Sequence, residues 1–198
     1  AACERGHEVF FVDPVTLSLQ HSEVHAAVVK VKVSRDQQQP FVVESKGSYA
    51  LATMDAVWIR QDPPFNRSYF YVTLLLDQLP DRVQIINRPV TVRNWNEKLA
   101  ALRYPMFTPA TLVSRSVQEI SEFLEEQERI TVKPVDGHGG KGIIFLNSGG
   151  NRLSEQLDSA THGGRHWVVA QQYLPAAREG DKRILLLDGE PLGAIRSE

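Results

Sequence analysis

The fold of the second half of this chain is decided by the stretch Val132-Lys-Pro-Val-Asp-Gly-His-Gly-Gly-Lys-Gly-Ile-Ile-Phe145. Apolar, β-branched and aromatic residues stand on both sides of it, which predicts two strands joined by a glycine-rich loop at 136–142. The spacing Gly137-x-Gly139-x-x-Gly142 formally matches a dinucleotide-binding fingerprint. That fingerprint requires a helix after its third glycine, whereas the residues that follow Gly142 predict a strand.

A glycine loop between two strands can still bind phosphate. With few side chains in the way, its backbone amides can approach anionic oxygens closely, and Lys133 on the entering strand can add an ammonium group. The alternative is a mobile hairpin with a surface lysine. The pattern by itself leaves both interpretations open.

Composition excludes several classes of protein. The chain has 198 residues, 42% of them hydrophobic and 23% charged, with a formal net charge of −2. These values indicate a folded protein and argue against a nucleic-acid partner. A single cysteine, Cys3, excludes a disulfide framework and suits a reducing, cytoplasmic compartment. The apolar runs are too short to span a membrane, so no membrane partner is expected.

Strands and helices alternate before the glycine loop. Strands are predicted at 55–60 and 83–86 and helices at 68–79 and 91–102, which indicates a parallel, doubly wound layer. Further strands are predicted at 8–12, 15–20, 24–33 and 41–44. After Tyr104, a capping box (Ser116 to Glu119) opens a helix to about 127, and strands are predicted at 130–133, 143–146, 167–171 and 183–187. We therefore expect an α/β class (α+β lobes) with domains at 1–102, 103–181 and 182–198. Neither end resembles a natural terminus, so we expect an internal piece of a longer protein.

Two cationic residues before the loop are candidates for an anion site. Lys98 is predicted in the first turns of a helix, where it would add to the positive end of the helix dipole. Its alternative is a solvated lysine that pairs with Glu97. Arg60 ends a buried strand, where an arginine can meet an anionic substrate, and its alternative is an ion pair with Asp62.

Two further candidates lie after the loop. The segment Val168-Val-Ala-Gln-Gln-Tyr-Leu-Pro175 could offer backbone groups to an adenine edge, or could simply be a core strand. In Gly180-Asp-Lys-Arg183, the arginine suits bidentate contact with carboxylate or phosphate, and a surface charge cluster is the alternative.

Taken in order, seven motifs resemble those of bacterial glutathione synthetase, an ATP-grasp ligase. They are Arg60-Gln-Asp-Pro-Pro-Phe65, Ile86-Asn-Arg-Pro89, Asn96-Glu-Lys-Leu99, Thr108-Pro109, Val132-Lys-Pro-Val-Asp-Gly-His-Gly-Gly140, Ala170-Gln-Gln-Tyr-Leu-Pro175 and Gly180-Asp-Lys-Arg183. The resemblance covers nearly the whole chain. It implies an N-terminal doubly wound parallel-sheet domain followed by part of an ATP-grasp fold, with the nucleotide between two lobes.

The resemblance also implies roles for individual residues. Lys98 and Lys133 match two phosphate-contacting lysines, and the arginine at 183 matches one beside the transferred phosphoryl group. The remaining matches are the phosphate loop (Gly137, Gly139, Gly140), the adenine segment (Gln171, Tyr173, Leu174) and a substrate contact (Arg60).

The implied reaction is the ATP-dependent ligation of glycine to γ-glutamylcysteine through an acyl phosphate, giving glutathione, ADP and phosphate. The implied cofactors are ATP and Mg²⁺ or Mn²⁺, and the full-length protein would be a homo-oligomer, commonly a tetramer. The family's metal ligands fall in a C-terminal section that this chain lacks, and Arg196 departs from the family's spacing. We therefore expect the chain alone to be inactive. The alternatives are another ATP-grasp carboxylate–amine ligase and a non-catalytic nucleotide-binding fragment.

Overall fold

A computed structural model of the chain describes residues 2–197, and it divides after Asn96 into two compact units. The strands are β1 Val9–Val12, β2 Ser18–Gln20, β3 Glu23–Val33, β4 Phe41–Ala50, β5 Ala56–Trp58, β6 Gln84–Ile86, β7 Thr111–Ser114, β8 Arg129–Pro134, β9 Ile144–Asn147, β10 Val168–Gln172, β11 Asp181–Leu187 and β12 Glu190–Ser197. The α-helices are α1 Arg67–Leu76, α2 Pro89–Asn94, α3 Val117–Gln127 and α4 Leu153–Thr161. Short 3₁₀ turns occupy Cys3–Arg5, Pro14–Thr16, Leu51–Thr53, Ala100–Arg103, Pro105–Phe107 and Pro175–Glu179.

The first unit begins with a four-stranded antiparallel sheet around β3. Strands β1 and β2 pair with successive parts of one edge of β3, and β4 pairs with the other edge. Alternate residues of β3 (Val24, Ala26 and Val28) are buried, as the two-residue period of a strand requires. The sheet is antiparallel because the turn after β2 and the loop after β3 reverse the chain between neighbouring strands.

A βαβ unit completes the first unit. Strands β5 and β6 pair in parallel, with α1 between them in sequence, as the predicted alternation of strands and helices requires. Helix α1 is capped at its N-terminus by Asn66, whose side chain accepts a hydrogen bond from the Tyr69 amide at 3.0 Å. Val72 and Leu76 of α1 pack into the same buried cluster as the inward face of β3. The α/β class is confirmed, and in residues 2–197 the parallel layer is two strands wide.

The helix predicted at 91–102 is wrong. Helix α2 ends at Asn94, and Trp95 leaves the helical region at φ −112° and ψ 73°. A 3₁₀ turn at Ala100–Arg103 follows after a non-helical stretch. The break falls at Asn94-Trp95-Asn96, where the two asparagines have low helix propensity, so little favours continuation of the helix there. Lys98 therefore lies in a turn and not at a helix N-terminus, and the helix-dipole argument for it does not hold.

The second unit is built on a four-stranded sheet in the order β7-β10-β8-β9, in which every pairing is antiparallel. Helices α3 and α4 bury Ile120, Leu124 and Leu157 against one face of it. The loop between β8 and β9 is the glycine-rich stretch, so the prediction that it joins two strands is confirmed.

Strands β11 and β12 form a separate hairpin in the second unit. Its two-residue turn, Asp188-Gly189, has φ values of 50° and 87°. Positive φ at both positions is the requirement of a type I′ turn, which matches the twist of the flanking strands. Several apolar side chains of the hairpin are exposed, among them Leu186 and Leu187. In the described part of the chain, no helix combines the length and the hydropathy needed to cross a membrane.

Candidate functional site

The open face of the second unit's sheet carries the polar side chains that the sequence singled out. In β8, Ile130 and Val132 point to the helices, so Thr131 and Lys133, which alternate with them along the strand, lie on the opposite face. In β10, Gln171 falls on that same opposite face, because its cross-strand partners are Thr131 of β8 and Thr111 of β7. The pairing of three strands, distant in sequence, thus gathers Lys133, Gln171 and Thr111.

These three side chains form a continuous hydrogen-bonded chain. The Lys133 Nζ donates to Gln171 Oε1 at 2.7 Å, and Gln171 Nε2 donates to Thr111 Oγ1 at 3.0 Å. The Thr111 hydroxyl in turn donates to the Pro109 carbonyl at 2.8 Å. Lys133 is therefore held by a side chain that is itself held at its far end.

Lys98 reaches the same region from the turn after α2. Its Nζ donates to the Gly137 carbonyl of the glycine loop and to Glu97 Oε1, and its side chain is only 17% exposed. The predicted pairing with Glu97 is thus present, but this lysine is not a solvated one. Burial lowers the pKa of Lys133, and the charge of Lys98 lowers the pKa further, so the two ammonium groups interact.

The glycine loop exposes backbone donors. Tight turns shape it: the Gly137 amide donates to the Pro134 carbonyl at 3.2 Å, and the Lys141 amide donates to the His138 carbonyl at 3.2 Å. Gly139 and Gly140 have φ values of 58° and 74°, which residues other than glycine rarely adopt. Within residues 2–197, the amides of these two glycines donate to no other group. Free backbone amides next to a lysine ammonium are groups of the kind that bind anions, so this loop is a candidate anion site.

The segment that follows β10 is braced by aromatic and cationic contacts. The Arg129 guanidinium lies 3.7 Å from the ring centroid of Tyr173, and Arg178 Nε donates to the Tyr173 hydroxyl at 2.6 Å. The Phe145 ring meets Tyr173 edge-on, with 5.8 Å between centroids. The Tyr173 amide donates to the Arg129 carbonyl at 3.0 Å, whereas in residues 2–197 the Leu174 amide donates to no group.

The remaining candidates lie elsewhere. Arg183 is exposed on β11, opposite Ile195 of β12. Arg60 is exposed in the first unit, just past the end of β5, as its prediction at a strand end required. The alternative ion pair between Arg60 and Asp62 is not formed among the described residues. Arg196 donates to the Glu179 carbonyl.

A depression of about 490 Å³ lies beside the glycine loop. It is lined by Leu99, Val113, Val135, Asp136, Arg165, His166 and Trp167. Its volume falls within the range of small-ligand sites. The depression therefore offers space for a small ligand beside Leu99, the residue after Lys98.

Several residues of this region were missed by sequence reasoning. Thr111 stands just after the Thr108-Pro109 motif, which was noticed only as part of the resemblance. Arg129 begins the strand that carries Lys133, and Arg178 follows the adenine segment. Their contacts depend on strand register and on loop paths, and no local pattern encodes these.

Comparison with known proteins agrees with this architecture. Residues 1–93 match the family model described as prokaryotic glutathione synthetase, N-terminal domain, and residues 97–197 match the model for its ATP-grasp domain. The chain belongs to the prokaryotic glutathione synthetase family. The two matched ranges meet where the chain divides into its compact units.

Curated relatives and solved structures give the same family and fold. Glutathione synthetases of Thermosynechococcus vestitus and Pseudomonas syringae pv. tomato are each 38% identical, over 98% and 97% of this chain and 64% and 60% of their own lengths. The chain thus spans about three fifths of these relatives. Two solved structures share the fold at low identity. A RimK domain ATP-grasp protein from Sphaerobacter thermophilus has a TM-score of 0.62 at 17% identity, covering 99% of this chain and 65% of that one. The D-cycloserine synthetase DcsG has a TM-score of 0.56 at 20% identity, covering 75% of this chain and 54% of that one.

Proposed function

We propose that the complete protein containing this chain is a glutathione synthase, which joins glycine to γ-glutamylcysteine at the expense of ATP. The observation that carries the proposal is the interaction of the Lys133 ammonium with that of Lys98, which is hydrogen-bonded to the glycine loop, in a member of this family. Two neighbouring cations repel each other in the free protein. An anion bound between them would relieve that repulsion, and a triphosphate is the anion that an ATP-grasp ligase binds.

The proposed roles follow the geometry of the second unit. Lys98, Lys133 and the amides of Gly139 and Gly140 bind the phosphates, with Gly137 anchoring the loop to Lys98. The Leu174 amide is the available donor for an adenine nitrogen, because the Tyr173 amide is already bonded to Arg129. Tyr173 supports that segment through its contacts with the two arginines.

Two arginines are proposed to act on the substrates. Arg183 would contact the transferred phosphoryl group, and Arg60 would bind a substrate carboxylate. Each is exposed, so its side chain is accessible to a ligand. These assignments rest on the family motifs and not on a contact within the chain.

The chemistry needs positive charge and no side-chain nucleophile. The carboxylate of γ-glutamylcysteine takes the γ-phosphoryl group of ATP, ADP leaves, and the carbonyl carbon becomes an acyl phosphate. The glycine amine then attacks that carbon, and phosphate leaves as the amide forms. Anionic ATP approaches an anionic carboxylate only where cations offset the repulsion, which is the task proposed for the lysines. The glycine loop would exclude water that could hydrolyse the acyl phosphate.

A divalent cation, Mg²⁺ or Mn²⁺, is proposed as a cofactor of the complete protein. The described residues do not fit such an ion, because among them no three His, Cys, Asp or Glu side chains cluster closely enough to hold one. We propose that its ligands lie outside residues 2–197.

The experiment supplies the complete protein with ATP, Mg²⁺, γ-glutamylcysteine and glycine and measures glutathione and phosphate in equal amounts. Replacing Lys133 by Ala is expected to lower kcat/KM by about a hundredfold or more, since one charged transition-state contact is lost. The matched control, Lys32→Ala, changes a lysine on β3 of the first unit and is expected to have no effect. If the protein instead joined D-alanine molecules and did not join γ-glutamylcysteine to glycine, it would be another carboxylate–amine ligase.

The 198-residue chain alone is expected to form no glutathione under the same conditions, because its described residues supply no divalent-cation site. ATP binding by the chain, measured by calorimetry, separates a nucleotide-binding fragment from an inert one. Glutathione formation by the chain alone would contradict this prediction.

For the complete protein, we propose a homo-oligomer, specifically a tetramer. Sedimentation equilibrium measures its mass and tests this proposal.

A further inference from the structure

The direction of the hydrogen bonds around Lys133 is completely determined. A lysine ammonium has donors and no acceptor, so Gln171 must turn its carbonyl oxygen toward Lys133. The amide nitrogen of Gln171 then faces Thr111, whose hydroxyl must accept. That hydroxyl is free to accept because its own hydrogen goes to the Pro109 carbonyl, which can only accept. Each group has one role that is consistent with its neighbours.

Thr111 therefore decides which end of the Gln171 amide meets Lys133. Without the hydroxyl, the two orientations of the amide would differ little at the Thr111 end. One of them would place an amide NH₂ against the lysine ammonium, which is unfavourable. We propose that Thr111 is a positioning residue for the phosphate-binding lysine, acting through the Gln171 side chain, an inference that rests on the proposed function.

This proposal changes the role of Gln171 within the site. Its side chain is committed to Lys133 and Thr111, and both of its polar ends are used. Recognition of the adenine would then fall to the backbone beyond β10, where the Leu174 amide is available. The chain Pro109–Thr111–Gln171–Lys133 links the start of β7 to the phosphate site across three strands.

The first test needs no nucleotide. The Lys133 ammonium is titrated by NMR, through its Cε and Nζ resonances, in the complete protein and in Thr111→Val. Loss of a fixed acceptor disfavours the charged lysine, so the pKa of Lys133 is expected to fall further in Thr111→Val. Thr111→Ser keeps the hydroxyl and is expected to restore the original titration. An unchanged titration in Thr111→Val would overturn the inference.

A matched control lies on the neighbouring strand. Thr131 is the cross-strand partner of Gln171 on the same face, and within residues 2–197 its hydroxyl joins neither Gln171 nor Lys133. Thr131→Val is therefore expected to leave the titration unchanged. An equal shift in both valine variants would show a general effect of removing a hydroxyl from this face, and would count against the proposal.

A double-variant cycle separates positioning from a merely structural role. In Gln171→Glu, both terminal atoms are acceptors, so orientation no longer matters to Lys133. Adding Thr111→Val to that background is expected to cause no further shift in the Lys133 titration. A shift as large as that in the wild-type background would overturn the inference. If Thr111→Val alone does not fold, Gln171→Met, which has no amide, is expected to lower the pKa of Lys133 in the same way.

Nucleotide binding provides the functional readout. The Kd for ATP is expected to rise about tenfold in Thr111→Val. As the pH is raised, the affinity of this variant for ATP is expected to begin to fall at a lower pH than that of the wild type, because Lys133 loses its charge earlier. A wild-type protein that binds no ATP would refute the proposed function, while the NMR titration would still decide the role of Thr111. A wild type that binds ATP, with an unaltered pH profile in Thr111→Val, would refute the positioning role alone.

Discussion

The surroundings of Lys133 disfavour the charged form of its side chain. It is half-buried, burial lowers its pKa, and the charge of Lys98 adds to that effect. A site that disfavours its own charge in the free state is suited to an anion, because the bound anion stabilises both ammonium groups at once. In the proposed phosphate site, relief of this repulsion would contribute to the free energy of binding.

The order of these two causes gives a prediction about Lys98. In Lys98→Met, the pKa of Lys133 is expected to rise, because a like charge is removed. The pKa should nevertheless stay below the ordinary lysine value, because burial lowers it more than the charge of Lys98 does. NMR titration of Lys133 measures both. Lys141→Met, which removes another loop lysine, is the control and is expected to cause no comparable rise. A complete return to the ordinary value would contradict this ranking of causes.

Tyr69 gives the first unit a pH dependence. Burial raises the pKa of Tyr69, whose hydroxyl donates to the Gln61 carbonyl at 3.4 Å. A raised pKa in the folded state means that stability is fully present below the tyrosine's unfolded pKa of about 10 and is lost as pH rises through the folded value. Tyr69→Phe is expected to reduce this alkaline loss, measured by denaturant unfolding from pH 8 to 11. Tyr71→Phe, on an exposed position of the same helix, is expected to keep it.

At the scale of elements, α3 shows how a short signal sets a helix start. The Ser116 hydroxyl accepts from the Glu119 amide at 3.3 Å, which is half of the predicted capping box. In the other half of a capping box, the Glu119 carboxylate would accept from the Ser116 amide. Here the Ser116 amide donates to the Ser114 hydroxyl at 2.9 Å, and that hydroxyl donates to the Glu119 carboxylate. The relay through Ser114 ties the helix to the end of β7.

Ser116→Ala is expected to lower the free energy of unfolding by about 1 kcal/mol, since one amide of the first turn loses its acceptor. Ser121→Ala is the matched control in the same helix. The Ser121 hydroxyl only donates back to the Val117 carbonyl, so alanine there is expected to be neutral or slightly stabilising. Urea unfolding measures both, and equal losses in the two variants would argue against the cap.

At the scale of the molecule, each unit has its own hydrophobic core. The first is built around Val24, Val28 and Leu76, and the second around Ile120, Leu124 and Val132. Among residues 2–197, the two clusters share no member. We therefore expect each unit to unfold as a cooperative element of its own.

Leu124→Ala is expected to destabilise the second unit by roughly 2–5 kcal/mol, because Leu124 is fully buried and leaves a cavity. Amide hydrogen exchange is expected to lose protection mainly in 97–197, whereas Leu76→Ala should act mainly on the residues before Glu97. Loss of protection spread evenly over both units in either variant would mean that the cores do not unfold separately.

Local chemistry in the sequence was enough to predict the strand–glycine loop–strand unit, the cap at Ser116 and the family itself. Each depends on residues close together in the chain or on the order of short motifs. The helix predicted at 91–102 was wrong because the helix ends at Asn94, where two asparagines of low helix propensity, Asn94 and Asn96, flank Trp95.

Tertiary structure alone decided which side chains meet. The sequence by itself determined that 132–133 and 168–171 are strand residues. Which side chains share a face of the sheet depends on the register in which the strands pair, and a shift of one residue would turn Lys133 away from Gln171. Likewise, Lys98 reaches Gly137 because the turn after α2 brings it there, over a separation of 39 residues. Alternation along a strand is a local property, whereas the pairing that aligns Thr111, Gln171 and Lys133 is set by the packing of the whole unit.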